Sequence, residues 1–243
     1  MRISVVIPVR DDAGPLERCL EALRGQTRAP DEVIVVDNAS SDRSAAIAMS
    51  GGARVVPCAE IGIPSAAAAG YDTATGDLIL RLDADCVPPP TWVHDAERLF
   101  LTSPDLLAAT GSARFTDGPR ALRWTSALYL GGYGLAAGAA LGHRPLFGSN
   151  LAMRTVAWRA VRAEVHRHHT ETHDDLDLSY HLGALGRLGR LDGAPMGISM
   201  RPLWPGRGFR RRVRRGFDTV VLHWPDDFPP WRWRRLRARR SAD

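Results

Sequence analysis

Three short apolar runs, each delivering carboxylates at its end, constrain this chain more than any other feature. Ile3-Ser-Val-Val-Ile7 stops at Pro8 and is followed by Asp11 and Asp12. Val33-Ile-Val-Val36 runs into Asp37-Asn38, and Leu78-Ile-Leu-Arg-Leu82 into Asp83-Ala-Asp85. Continuous apolar runs this short predict strands buried on both faces. Helical signals lie between them. Leu16, Cys19, Leu20 and Leu23 recur at i, i+3, i+4, i+7, with Pro15 near the start and Gly25 near the end. Asn38-Ala-Ser-Ser-Asp42 offers capping residues for a helix through Met49, Arg54-Val-Val56 is a third strand, and Ser65 to Thr75 an Ala-rich helix. Strands alternating with helices mean βαβ units, a mostly parallel sheet and an α/β fold.

Further along, Trp92 to Leu101 predicts a helix, Leu106 to Phe115 a strand, and Leu146 to Met153 a strand-like segment before a helix from Val156. Asp174 to Leu185 is helical. Trp124 to Gly142 is uncharged over a length that could span a membrane, but four internal glycines weaken its hydrophobicity. A buried or interfacial helix and loop is expected there. The last 40 or so residues carry little periodicity.

Composition narrows the classes. With 44% apolar and 24% charged residues in 243, the chain is neither disordered nor fibrous. All 32 basic residues are arginine, which removes Schiff-base chemistry and any lysine-dependent phosphate loop. Three scattered cysteines form neither a disulfide framework nor a zinc spacing, and fit a reducing cytosol. The N-terminal run reads as a strand rather than a signal peptide. The formal charge of +5 divides unevenly: residues 1–200 hold 19 Arg against 23 acids, and residues 201–243 hold 13 Arg against four. An acidic body with a basic tail is unusual for a nucleic-acid module.

In an open α/β sheet, ligands bind outside the carboxyl ends of the strands, and three predicted strands bring acids to that edge. Asp83 and Asp85, two apart in an extended segment, project to the same side. Such a pair suits a hard divalent cation that bridges to phosphate oxygens. Taken singly, each acid is an ordinary cap or turn residue.

The segments VVIPVRDD, VIVVDNASSD, GDLILRLDADC, FGSNLAMRTVAW and HDDLDLSYHLG, in this order, resemble the family-2 glycosyltransferases with the GT-A fold, over residues 3 to 190. The resemblance implies a Rossmann-like sheet flanked by helices. It divides the chain into a domain over 1–200, with a nucleotide-sugar and metal half (1–115) and an acceptor half (116–200), and a basic extension over 201–243. It implies that Pro8, Val9 and Asp12 line the nucleoside, that Asp37 meets the base, and that Asp83 faces the ribose and diphosphate. Asp85, with Asp83, would hold Mg²⁺ or Mn²⁺. Asp174-Asp-Leu-Asp-Leu178 resembles the family's acidic box, which implies Asp175 as the general base and Asp174 beside it. Gly148, Ser149 and Asn150 resemble the acceptor loop, whose plain alternative is a Gly-Ser turn.

Two departures matter. The Arg-Asn pair that the family often carries before the fourth strand is replaced by Ala66 to Ala69. The Gln-x-x-Arg-Trp box of processive synthases is absent, which favours single addition. The implied activity is an inverting, metal-dependent transfer of one sugar from a nucleoside-diphosphate donor, most often UDP-linked, to an acceptor hydroxyl. A sugar-nucleotide nucleotidyltransferase and a non-catalytic membrane- or nucleic-acid-binding protein stay open as alternatives.

His166, His168, His169 and His173 precede the acidic box. They leave a metal-dependent phosphohydrolase open, although the expectation is that His173 flanks the base and the others sit on an exposed helix or loop. The tail interleaves Trp and Phe with Arg, which fits anionic headgroups and a lipid-linked acceptor at the inner face of the plasma membrane. Its last ten residues read as solvated and partly disordered.

Overall fold

The computed structural model describes residues 1–122, 124–201 and 207–240. Seven strands form one sheet: β1 (Ile3–Val9), β2 (Glu32–Asp37), β3 (Arg54–Pro57), β4 (Leu78–Arg81), β5 (Leu106–Phe115), β6 (Leu151–Arg154) and β7 (Arg187–Ile198). Their order is β3-β2-β1-β4-β6-β5-β7. The first four run parallel, β6 runs antiparallel to both its neighbours, and β5 pairs in parallel with β7. The chain winds outward from β1 to β3, then crosses back to lay β4 on the other side of β1. That reversal opens a crevice at the carboxyl ends of β1 and β4.

The helices are α1 (Ala13–Arg24), α2 (Ser44–Ser50), α3 (Ile63–Thr73), α4 (Trp92–Thr102), α5 (Thr125–Leu141), α6 (Thr155–Val161), α7 (Asp174–Leu185), α8 (Arg207–Leu222) and α9 (Pro229–Arg240). β1 is buried along its whole length and feeds two cores by alternation. Ile3, Val5 and Ile7 pack with Leu16 of α1 and Trp92 of α4. Val6 packs on the other face with Ala66 of α3, Trp158 of α6 and Leu178 of α7. Gly70 lets α3 close on the sheet, because a Cβ there would fall 2.3 Å from Val6. The Ala66 to Ala69 stretch is thus largely the inner face of a core helix.

Several expectations shift. Asn38 does not begin a helix: α2 starts at Ser44, and Asn38 instead latches the end of β2 to the loop before α3, donating to the carbonyls of Cys58 (3.1 Å) and Glu60 (2.6 Å). The expected strand over Leu146 to Met153 shrinks to β6, preceded by a 3-10 turn over Gly148–Asn150. β7 was not expected, since Gly189, Gly193 and Pro195 interrupt its pattern. The uncharged segment is continuous helix over α5, with Leu128 and Leu135 strongly exposed. Among the described residues no helix is long and apolar enough to cross a membrane.

The tail, in which little periodicity was read, forms α8 and α9; of its last ten residues, expected to be solvated and partly disordered, those up to 240 continue α9 and 241–243 lie outside the described residues. Arg232 is the reason α9 docks. Its side chain is 2% exposed, and it donates to the carbonyls of Leu141 (2.8 Å) and Tyr180 (2.9 Å) while pairing with Asp227. Trp233 donates to the carbonyl of Ala139. Both reach the C-terminal turn of α5, where the orphan carbonyls of Ala139 and Leu141 need donors.

Candidate active site

The edge beyond β1, β2 and β4 gathers the acids. β1 and β2 pair in register, with Val9 opposite Asp37. Asp37 accepts from the Ser40 N–H at 3.3 Å, and Asp12 follows β1 at the start of α1. Pro8 and Val9 are buried, and Val9 packs into the core, so this stretch offers its backbone rather than its side chains to a ligand.

Beyond β4, three segments distant in sequence meet. Arg81, 3% exposed, donates to Asp83 (2.9 Å) and to Asp174 (2.8 Å). Ser149 donates to the other oxygen of Asp83 at 2.5 Å. The Gly148 N–H donates to Asp175 at 2.9 Å, and the Leu176 N–H to its second oxygen at 2.8 Å. Gly148 is required here because a Cβ would lie 1.9 Å from the Arg81 guanidinium. Burial pushes the Asp174 carboxyl up, Arg81 pulls it down, and Asp175 pushes it up again. Two charged acids fit in this corner because a buried guanidinium lies between them.

Asn150 sits behind the site rather than in it. It is 2% exposed, accepts from the Trp92 indole at 2.9 Å and donates to the Ser112 carbonyl at 2.9 Å. It anchors the turn that presents Gly148 and Ser149.

Asp83, Asp85 and Cys86 bring potential ligand atoms within 4.8 Å of one another. The Cys86 thiol is buried, and that burial, with Asp83 and Asp85 nearby, pushes it well above the ordinary range. It stays protonated and does not suit a hard cation. Burial and Asp83 raise the Asp85 carboxyl, opposed by Arg201. Arg201 donates to Asp85 at 2.7 Å and to both oxygens of Asp12 at 3.1 and 2.6 Å. A guanidinium thus stands where a cation between Asp12 and Asp85 would be drawn, which is the charge these acids call for. Asp83 and Asp85 are hard oxygen donors of the kind that Mg²⁺ and Mn²⁺ take.

A cleft of about 900 Å³ opens over this floor. Arg81, Asp83, Gly148, Ser149, Asp174 and Asp175 form its base; Leu128, Tyr129 and Tyr133 of α5 form one wall; Val213, Phe217 and Val220 of α8 form another. The Tyr133 hydroxyl is buried without a hydrogen-bond partner. His173 lines the cleft and binds α8 through the Arg212 carbonyl, as its position beside the acids suggested. His166 does not lie free on a loop: it is half-buried against Asp177. Sequence reasoning missed Arg81 and Arg201. An arginine inside an otherwise apolar strand was the available signal for the first, and nothing local marked the second.

The sequence model described as glycosyl transferase family 2 matches residues 4–169, more than half of the chain. Glycosyltransferase AglE of Haloferax volcanii is 30% identical over 123 residues, 47% of this chain and 40% of that protein. The undecaprenyl-phosphate 4-deoxy-4-formamido-L-arabinose transferase of Pectobacterium carotovorum is 39% identical over 99 residues, 36% of this chain and 30% of that protein. The chain therefore matches less than half the length of these relatives. Among solved structures, glucosyl-3-phosphoglycerate synthase from Mycobacterium tuberculosis, in complex with Mn²⁺, UDP and phosphoglyceric acid, superposes with a TM-score of 0.67 at 18% identity over 91% of this chain and 78% of that one. The mannosyltransferase PcManGT from Pyrobaculum calidifontis, in complex with GDP-mannose and Mn²⁺, does so with 0.65 at 20% identity over 99% and 74%. At these identities the likeness is one of fold.

Proposed function

The chain belongs to glycosyl transferase family 2, and on that premise we propose that it moves one sugar from a nucleoside-diphosphate donor to an acceptor hydroxyl, inverting the anomeric centre. The convergence of Asp83, Ser149, Asp174 and Asp175 on one cleft floor carries this reading.

The nucleoside would lie against the ends of β1 and β2, with the backbone of Pro8 and Val9 beneath it and Asp12 and Asp37 beside it. UDP is the donor nucleotide favoured by the family resemblance. Asp85 and Asp83 would hold Mg²⁺ or Mn²⁺, which supplies charge stabilisation for the departing diphosphate. Arg201, which donates to Asp12 and Asp85, would meet the diphosphate and so stand in for the missing Arg-Asn pair. Asp175 would take the acceptor proton as the hydroxyl attacks the anomeric carbon; its two backbone donors hold the carboxylate in one orientation. Asp174, held by Arg81, would orient the acceptor, with Gly148 and Ser149 beside it.

A lipid-linked acceptor suits the walls. α5 and α8 present apolar side chains to the cleft, and Leu128, Val213 and Phe217 remain exposed at its rim. Arg210 and Arg214 lie outward on α8, where anionic headgroups would meet them. Undecaprenyl-phosphate 4-deoxy-4-formamido-L-arabinose transferases recur among the relatives and support that class. The protein would then work peripherally, at the cytosolic face of a membrane.

Calorimetric titration with UDP, with and without Mn²⁺, tests the donor half. Metal-dependent binding that Asp85→Asn weakens is the expected result; absence of nucleotide binding in the presence of metal overturns the reading. Arg210→Ala with Arg214→Ala should reduce retention on anionic vesicles while sparing UDP binding. Unchanged retention removes α8 from the membrane contact.

A further inference from the structure

A second cluster of chemistry-bearing side chains lies behind α7, on the side turned away from the cleft. Residues two apart on a helix point in nearly opposite directions. Asp175 lines the cleft, and Asp177 is buried on the other face with His181 one turn on. His166, from the segment before α7, and His223, just past the end of α8, close around the same carboxylate. Potential ligand atoms of all four side chains lie within 4.8 Å of one another.

The distances have the form of a coordination shell. Oδ1 of Asp177 is 2.7 Å from His166 Nδ1, 3.1 Å from His223 Nε2 and 3.6 Å from His181 Nε2. Ligand atoms about 2.0–2.1 Å from a tetrahedral zinc ion stand about 3.3 Å apart along each edge. The three imidazoles splay around one point, with ring centroids 5.3 to 6.0 Å apart.

A plain hydrogen-bond network explains the cluster poorly. His166 makes an aligned contact to Asp177, but Nε2 of His181 and Nε2 of His223, buried and 3.6 and 3.1 Å from the same oxygen, lack aligned hydrogen-bond geometry. A buried polar atom without a partner is a cost the fold must offset. The outer contacts also favour a metal. His223 Nδ1 lies 2.9 Å from the Thr219 carbonyl oxygen, which only accepts, so Nδ1 donates there and Nε2 is the nitrogen turned toward Asp177. His181 Nδ1 lies 3.4 Å from Glu164. A ligating imidazole whose other nitrogen faces a carbonyl or carboxylate is the usual arrangement around metals. Tyr180 stacks on the His223 ring at 3.9 Å and keeps it in place.

We infer that His166, Asp177, His181 and His223 form a structural site for a zinc-type divalent ion, separate from the Asp83–Asp85 pair. Three nitrogens and one carboxylate oxygen suit Zn²⁺ or Co²⁺ better than Mg²⁺. The four ligands leave no open position for chemistry. The ion fastens α8, one wall of the cleft, to the helix that carries Asp174 and Asp175. The inference does not depend on the identity of the donor.

The test uses the full chain without a polyhistidine tag. Metal content is measured after dialysis against a weak chelator, and Co²⁺ is titrated while its visible absorption is followed. About one equivalent of retained zinc and an intense four-coordinate Co²⁺ spectrum are expected. His223→Gln and His181→Gln should each weaken Zn²⁺ binding by more than about 100-fold, and Asp85→Asn should leave it unchanged. A wild-type chain that retains no zinc and gives only a weak, six-coordinate Co²⁺ spectrum overturns the site, as does zinc binding lost in Asp85→Asn but kept in His223→Gln.

Discussion

Arg81 and Asp174 are 93 residues apart in sequence, yet a guanidinium nitrogen of one lies 2.8 Å from a carboxylate oxygen of the other. The same guanidinium holds Asp83 at 2.9 Å. A buried cation in the last position of a strand therefore ties the metal-side acid to the base-side helix. Without it, Asp83, Asp174 and Asp175 would meet as like charges with little solvent between them.

Arg81→Met removes that buried countercharge and leaves the half-buried Asp174 unpaired. Breaking a buried pair from one side costs about 3–5 kcal/mol. Thermal melts should show a loss of that order, larger than for Arg81→Met combined with Asp174→Leu. Equal losses in the single and double variants would show that the pair is not coupled.

Gly148→Ala places a methyl group 1.9 Å from the Arg81 guanidinium. Either the turn or the arginine must yield, at a cost of about 1–3 kcal/mol. Sugar transfer should fall further than the melting temperature suggests, because Asp83 and Asp175 lose their alignment together. Wild-type transfer by this variant would mean that the alignment does not matter.

Asp175→Asn keeps the shape, accepts from only one of the two backbone donors, and cannot take a proton. Transfer should drop by about 10²–10⁴-fold, with UDP affinity unchanged in calorimetry. Transfer close to wild type would give the proton to another group.

Arg201 bridges Asp12 and Asp85, so it competes with a cation for the same carboxylate. Arg201→Ala should bind Mn²⁺ alone more tightly and UDP more weakly, read by paramagnetic resonance and calorimetry. Both affinities moving in one direction would contradict the exchange.

Glu171 pairs with Arg211 and Arg215 of α8. The Arg215 and Arg211 hydrogen bonds lower its carboxyl from 4.5 to about 2. A depressed acid stabilises the fold above its unfolded value, and loses that contribution as the pH falls toward its folded one. The wild type should therefore melt above Glu171→Gln near neutral pH, with the gap closing between pH 4.5 and about 2. The pair is exposed, so the gap should be small and shrink with salt. A gap that persists to the acid end would assign the effect to packing.

The parallel half of the sheet was legible because its signals are local. β1, β2 and β4 are short apolar runs, and α1 carries its buried residues at i, i+3, i+4 and i+7. Asp83, Ser149 and Asp175 could be named as candidates from motif order, and all three reach the cleft. Asn150 could not be told apart from them, because its two amide contacts come from Trp92 and Ser112 far along the chain. α9 was hidden for a similar reason: an arginine-rich segment looks solvated until a buried partner such as Tyr180 or Leu141 is known.

The sequence by itself determined the strand–helix alternation and the arrival of carboxylates at one sheet edge, since both follow from side-chain periodicity and strand direction. Tertiary structure decided which charges meet. Only the closed fold sets Arg81 between Asp83 and Asp174, sets Arg201 between Asp12 and Asp85, and brings His223 to Asp177 across 46 positions of chain. Burial then turns these encounters into fixed geometry, because a charge or an imidazole removed from water must find its partner inside the protein.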